Sequence, residues 1–130
     1  MTRRRVAILT AILVVVLVAG VCSVAYRTAY GVWWSEPDRF EYCDRTYHRG
    51  TGDPLTLEAV RAKTSQTALP GDAPSPLQRV ATVPPLVGAQ VLAAVTPEQR
   101  RRELHVPCAM VAFRQIGEDS YRVYVISGGP

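Results

Sequence analysis

Short of histidine, cysteine and excess charge, the sequence closes off several functions before any motif is read. Two histidines and three cysteines stand among 130 residues. No Cys-x-x-Cys occurs, so dithiol exchange lacks its motif. No serine occupies a Gly-x-Ser-x-Gly elbow. Gly50-Thr51-Gly52 is a turn without the lysine and helix that complete a phosphate loop. Carboxylates can be paired on paper, Glu41 with Asp44 and Glu118 with Asp119. The first pair needs a fold that brings it together, and the second falls in a turn, where acidic residues are ordinary. No residue is thereby named for acid–base work or nucleophilic attack. The expectation is a protein that is not an enzyme.

The net charge of +4 is also less than it looks. Arg3, Arg4 and Arg5 supply three of those charges, and from Arg27 onward 12 basic residues face 11 acidic ones, leaving +1. A near-neutral domain has no electrostatic footprint for nucleic acid, which excludes that partner. Internal repeats are absent too.

What is abundant is an apolar run. Val6 to Ala25 holds no charge and no proline, and Thr10, Cys22 and Ser23 are its only weakly polar members. Twenty helical residues span about 30 Å, the hydrocarbon thickness of a bilayer. A lone strand of the same composition would leave its backbone groups unpaired in lipid, so a helix is expected. Tyr26, Tyr30, Trp33 and Trp34 follow, about one turn apart if the helix continues. Amphipathic rings of that kind favour the membrane–water interface. Three arginines precede the run and one, Arg27, follows it closely. The positive-inside bias then places the N-terminus in the cytoplasm and the rest outside the plasma membrane. The division reads as a basic N-terminus over 1–5, an anchor over 6–25, an aromatic juxtamembrane segment over 26–38 and an extracytoplasmic domain over 39–130.

A cleaved signal peptide competes, because Ser23 and Ala25 are small residues suited to cleavage after Ala25. The apolar run exceeds the usual 7–15 residues of such a signal, which favours an uncleaved anchor. Lipid attachment at Cys22 is a poorer fit, since Val21 stands where a small residue is needed.

Outside the cytoplasm thiols are oxidised, so Cys43 and Cys108 form the natural disulfide and Cys22 is left over. The alternative is zinc. Cys43-x4-His48 and His105-x2-Cys108 could supply a Cys2His2 set, and these four are every cysteine and histidine of the domain. The compartment decides for the disulfide, and no cofactor is expected.

The domain itself reads as small α+β. Arg39 to Cys43 alternates like a short strand, with Tyr47 continuing after a polar turn. Asp53-Pro54 resembles a helix start, with Leu57, Val60 and Thr64 on one face of a helix to about Lys63. Residues 65–76 form a proline-rich loop. Gln78 to Val83 and Val87 to Val95 read as strands, the first ended by Pro84-Pro85. Thr96-Pro97-Glu98-Gln99 matches the capping box and opens a helix through Leu104, whose Arg100, Arg101 and Arg102 form a solvated face bracketed by Glu98 and Glu103. Cys108 to Gln115 and Tyr121 to Ser127 read as a C-terminal β-hairpin. Ser127 to Pro130 reads as a frayed end. Altogether the sequence leads us to expect a single-pass transmembrane helix and an antiparallel sheet of three to five strands with two short helices. The function expected is a membrane-anchored interaction or envelope-associated module, partnered by the bilayer and by another membrane or envelope protein.

Overall fold

The computed structural model describes residues 3–66, 71 and 73–127, so the first two residues, residues 67–70 and 72 of the proline-rich loop and the last three residues lie outside the described residues. The chain divides into two compact units, Met1–Asp38 and Arg39–Pro130.

The first unit is built on one helix, α1 (Arg3–Tyr30), of 28 residues. At about 1.5 Å per residue it is roughly 42 Å long. None of its residues is buried, and it is long and apolar enough to cross a membrane. Its hydroxyls are satisfied within the helix: Thr10 Oγ1 donates to Val6 O at 3.0 Å and Ser23 Oγ to Ala19 O at 2.8 Å. Back-bonding of this kind lets a polar side chain sit in an apolar helix without an orphaned donor. Gly31 stops the helix. With φ at +82° it is left-handed, and its N–H reaches back to Arg27 O at 2.9 Å. That is the one-bond glycine cap of a helix C-terminus.

The second unit is an antiparallel, curled sheet of six strands, where the sequence led us to expect three to five. In chain order these are β1 (Arg39–Tyr42), β2 (Arg45–Arg49), β3 (Leu77–Val83), β4 (Ala89–Ala94), β5 (Val111–Gly117) and β6 (Ser120–Ile126). Helix α2 (Leu57–Gln66) precedes β3 and α3 (Glu98–Leu104) precedes β5. The spatial order is β1-β2-β6-β5-β4-β3. The extra strand comes from Arg39 to Arg49, which is a hairpin of its own. Cys43 and Asp44 form its two-residue turn with φ at +54° and +57°. Two consecutive positive φ values give the turn whose twist matches antiparallel strands, although cysteine is an unusual occupant.

Both faces of the sheet are covered. The registers place Leu92, Phe113 and Val123 side by side on one face, with Tyr121 two residues along β6. Alternation along a strand makes those residues share a side. Val60 of α2 seats there against Phe113 and Tyr121, and Leu55, Leu57, Leu77 and Val111 pack around them. The other face carries a second core of Phe40, Tyr47 and Tyr124 with Val91, Ala93 and Ala112, all buried. Phe40 lies 5.5 Å from Tyr47 and 4.9 Å from Tyr124 between ring centroids. Burial of each such ring stabilises by about 1.5–3 kcal/mol before the aromatic contacts are counted.

Several boundaries differ from the expectation. Helix α2 starts at Leu57, not at Asp53-Pro54, and Thr56 Oγ1 accepts the Ala59 N–H at 3.3 Å. Its inward face is as expected, with Val60 and Thr64 buried. The capping box at Thr96 does not form. Pro97 takes the cap position with no side-chain hydrogen bond, and the Thr96 N–H is spent on Cys108 O at 2.8 Å. The C-terminal hairpin is present but turns more tightly, since β5 runs on to Gly117, past a bulge after Gln115, and β6 resumes at Ser120.

Candidate functional site

Two groupings gather the residues that the sequence singled out. The first lies in the first unit, at the end of α1. Tyr26 and Tyr30 are on the helix, but Trp33 and Trp34 are not, because Gly31 turns the chain. The chain doubles back, so Trp34 stacks on Tyr26 at 4.9 Å with 19° between the rings. Trp34 Nε1 donates to Ser23 Oγ at 3.1 Å, and the Tyr26 hydroxyl donates to Ser35 O at 2.8 Å. Tyr26 also meets Tyr30 at 4.8 Å. The guanidinium carbon of Arg27 sits 4.8 Å from the Trp33 ring centroid, in the range of a cation–π contact. The Asp38 N–H donates to Tyr30 O at 3.0 Å, so residue 38 returns to the helix end. Gly31 was the signal in the sequence for this arrangement, as a glycine immediately after the last apolar turn.

Trp33 and Trp34 remain half-exposed or more, at 50% and 63%. Tyr26 covers one face of Trp34 and Arg27 lies over Trp33, and the rest of each ring stays open. Rings so arranged suit a boundary that is apolar on one side and wet on the other.

The second grouping lies in the sheet unit. Cys43, in the β1–β2 turn, is joined by a disulfide to Cys108, three residues before β5, with Cα atoms 6.3 Å apart. Cys108 is buried; Cys43 is partly exposed. Arg101 of α3 turns inward over the bridge, its Nη1 2.7 Å from Cys108 Sγ and 3.5 Å from Cys43 Sγ. Its Nε is buried with no hydrogen-bond partner. The three arginines of α3 therefore do not form one solvated face. Arg102 pairs with Glu98, Arg100 meets Glu103 at 3.4 Å, and Arg101 packs on the sulfurs.

Beside the bridge, the Tyr47 hydroxyl donates to Ala109 O at 2.7 Å. Burial pushes the Tyr47 phenol up to about 12, with Tyr42 adding to the rise and Arg45 opposing it. Burial also raises Tyr42, against the pull of the Arg101 charge. A phenol held neutral and donating to a carbonyl is a structural fastening here. It ties β2 to the segment that carries Cys108.

The alternative zinc ligands do not assemble. The disulfide takes both thiols, His48 lies exposed on β2, and exposed His105 caps α3 in a left-handed conformation. Among the described residues no group of three His, Cys, Asp or Glu could hold a metal ion. Of the carboxylates, Asp119 accepts the Leu57 N–H at 2.8 Å and so caps α2. The Asp119 cap had no local signal, since it joins residues 62 positions apart, and of the two sulfurs Arg101 meets, Cys43 lies 58 positions away and Cys108 seven. Comparison with protein-family models, with curated proteins and with solved structures finds no match.

Proposed function

We propose that this chain is a single-pass membrane protein whose C-terminal domain stands outside the cytoplasm as a non-catalytic interaction module. The observation that carries the reading is the Cys43–Cys108 disulfide in a domain that follows an apolar helix of 28 residues. A structural disulfide belongs to an oxidising compartment, and a helix of that length suits a bilayer. The arginines at 3, 4 and 5 support an N-terminus in the cytoplasm. The aromatic cluster at the helix end supports retention of the segment, because Ser23 accepts a bond from Trp34 across the position where a signal peptidase would cut. The partners proposed are the bilayer and a second membrane or envelope protein; nucleic acid is not among them.

Intact mass tests the anchor and the brace together. The protein is extracted from its native membrane, denatured with chelator and alkylated without reductant. One alkyl group, on a chain retaining Cys22, supports both. Three alkyl groups refute the bridge, and a mass beginning at Tyr26 refutes the anchor. Chemical crosslinking in membranes tests the interaction role, which fails if only background proteins are captured.

A further inference from the structure

The Cys43–Cys108 bridge is attended by a charge that a neutral disulfide does not call for. Arg101 Nη1 stands 2.7 Å from Cys108 Sγ and 3.5 Å from Cys43 Sγ, and its Nε is buried without a hydrogen-bond partner. Arg100 and Arg102 pair with Glu103 and Glu98, but among the described residues no carboxylate pairs with Arg101. Burial raises the Tyr42 phenol and the Arg101 charge pulls it back, so that charge is felt at the β1–β2 turn. A partly buried guanidinium left without an anion is costly. Reduction of the bridge would supply the anion, as a thiolate at Cys108. An arginine beside a cysteine favours the thiolate, and a thiol of lowered pKa is the better leaving group in exchange.

The two sulfurs are unequal. Cys108 is buried beneath Arg101, at 5% exposure, whereas Cys43 is partly exposed in the tight turn between β1 and β2. Asp44 and Arg45 follow it, exposed and of opposite charge, so the approach to Cys43 carries little net charge. Nor does the hairpin depend on the bridge for its place. Strand β2 pairs with β6 from Tyr47 to Arg49, the Ser127 N–H donates to Thr46 O at 3.0 Å, and the Tyr47 hydroxyl donates to Ala109 O at 2.7 Å. The bridge can open while the sheet stays paired. The missing Cys-x-x-Cys bears on a different role: that motif equips an oxidoreductase, whereas this bridge is what a reductant would act upon.

We propose that the Cys43–Cys108 bridge is a site of thiol–disulfide exchange, attacked at Cys43 by a dithiol reductant while Arg101 receives Cys108 as the leaving thiolate. A thiolate of the reductant bonds to Cys43 Sγ as the Cys43–Cys108 bond breaks, and the bonding pair departs on Cys108 Sγ. The reductant's second thiolate then attacks its own sulfur in the mixed disulfide and displaces Cys43, which takes a proton from water. Two electrons pass to the bridge, and the reductant leaves as its own disulfide. This goes beyond the interaction-module reading but needs the bridge on which that reading rests.

The test uses the full chain in detergent micelles, with Cys22 blocked by N-ethylmaleimide before any reductant is added. One adduct by intact mass shows the bridge in place; three adducts sink the interaction-module reading and this proposal together. Dithiothreitol is then titrated, and the thiols released are alkylated and counted against time. The rate is expected to rise in proportion to dithiothreitol, to fall about three- to tenfold in Arg101→Gln and to recover in Arg101→Lys. Glutathione, a monothiol, should be trapped by acid on Cys43, with Cys108 free, in peptide maps. A bridge that opens at a rate independent of dithiothreitol waits on unfolding, which overturns the proposal and leaves the interaction module standing. Glutathione found on Cys108 overturns it too. So does an Arg101→Gln bridge reduced as fast as the original or faster, because an arginine that merely covers the sulfurs shields them. Adduct position and concentration dependence need no variant, so both decide even if Arg101→Gln fails to fold.

Discussion

The carboxylate of Asp119, in the β5–β6 turn, accepts the backbone N–H of Leu57 at 2.8 Å and so caps a helix that lies 62 residues earlier in the chain. The same neighbourhood is pinned by a two-way bridge, Leu55 N–H to Tyr121 O and Tyr121 N–H to Leu55 O, both 2.8 Å. Helix α2 is therefore started by the strand hairpin on which it packs. Asp119→Ala is expected to lower stability by about 0.5–2 kcal/mol, the range for losing a helix cap, and Asp119→Asn to recover most of it. Urea unfolding followed by far-UV circular dichroism measures both.

Alkaline pH should unfasten the aromatic core. Tyr47 is pushed up to about 12 in the folded protein, against an ordinary value of 10.0. Its contribution is fully present below about pH 10 and is lost as pH rises from there to about 12, because only the unfolded chain ionises across that window. The loss expected is about 3 kcal/mol, from roughly 1.4 kcal/mol per unit. Tyr47→Phe should flatten the profile while costing about 1 kcal/mol at neutral pH for the hydrogen bond to Ala109. Denaturant midpoints collected from pH 8 to pH 12 decide it.

The disulfide closes a 65-residue separation. Chain entropy assigns such a loop about 4 kcal/mol, a large part of the roughly 5–15 kcal/mol that holds a domain together. The Cys43→Ala, Cys108→Ala double variant should melt about 15–30 °C lower by calorimetry. An unchanged melting temperature would assign the bridge no role as a brace.

Gly88→Ala tests the β3–β4 loop. The added methyl meets backbone atoms of Val83 and Pro84, which have no flexible end to move aside. A cost of about 1–3 kcal/mol is expected, as for other overpacked sites. Amide exchange should show it as faster opening of β3 and β4, with α2 little affected.

What the sequence disclosed followed the range of each interaction. The apolar helix, the strands on either side of Pro84-Pro85, the C-terminal hairpin and the Val60–Thr64 face were all legible, because each is written in neighbouring residues. The β1–β2 hairpin was hidden because Cys43-Asp44 is not one of the glycine-containing pairs that advertise such a turn. The capping box at Thr96 misled for a complementary reason: a nonlocal partner, Cys108 O, takes the Thr96 N–H and the helix starts later. At the disulfide, the pairing of the two cysteines was readable from the expectation of an oxidising compartment, but the inward turn of Arg101 was not. An arginine between two others on a short helix reads as solvent-facing until the fold supplies something to cover.

The strand order governs how the domain is made. Strand β6 lies between β2 and β5, so the β1–β2 hairpin, formed early in synthesis, has no neighbour to join until the last strand arrives. A nascent chain crossing a membrane N-terminal portion first would carry that hairpin, with Cys43 in its turn, as an unpaired edge for nearly the whole of translocation. The six-stranded sheet is complete only once β6 is in place, because β6 alone joins the β1–β2 hairpin to β5, β4 and β3.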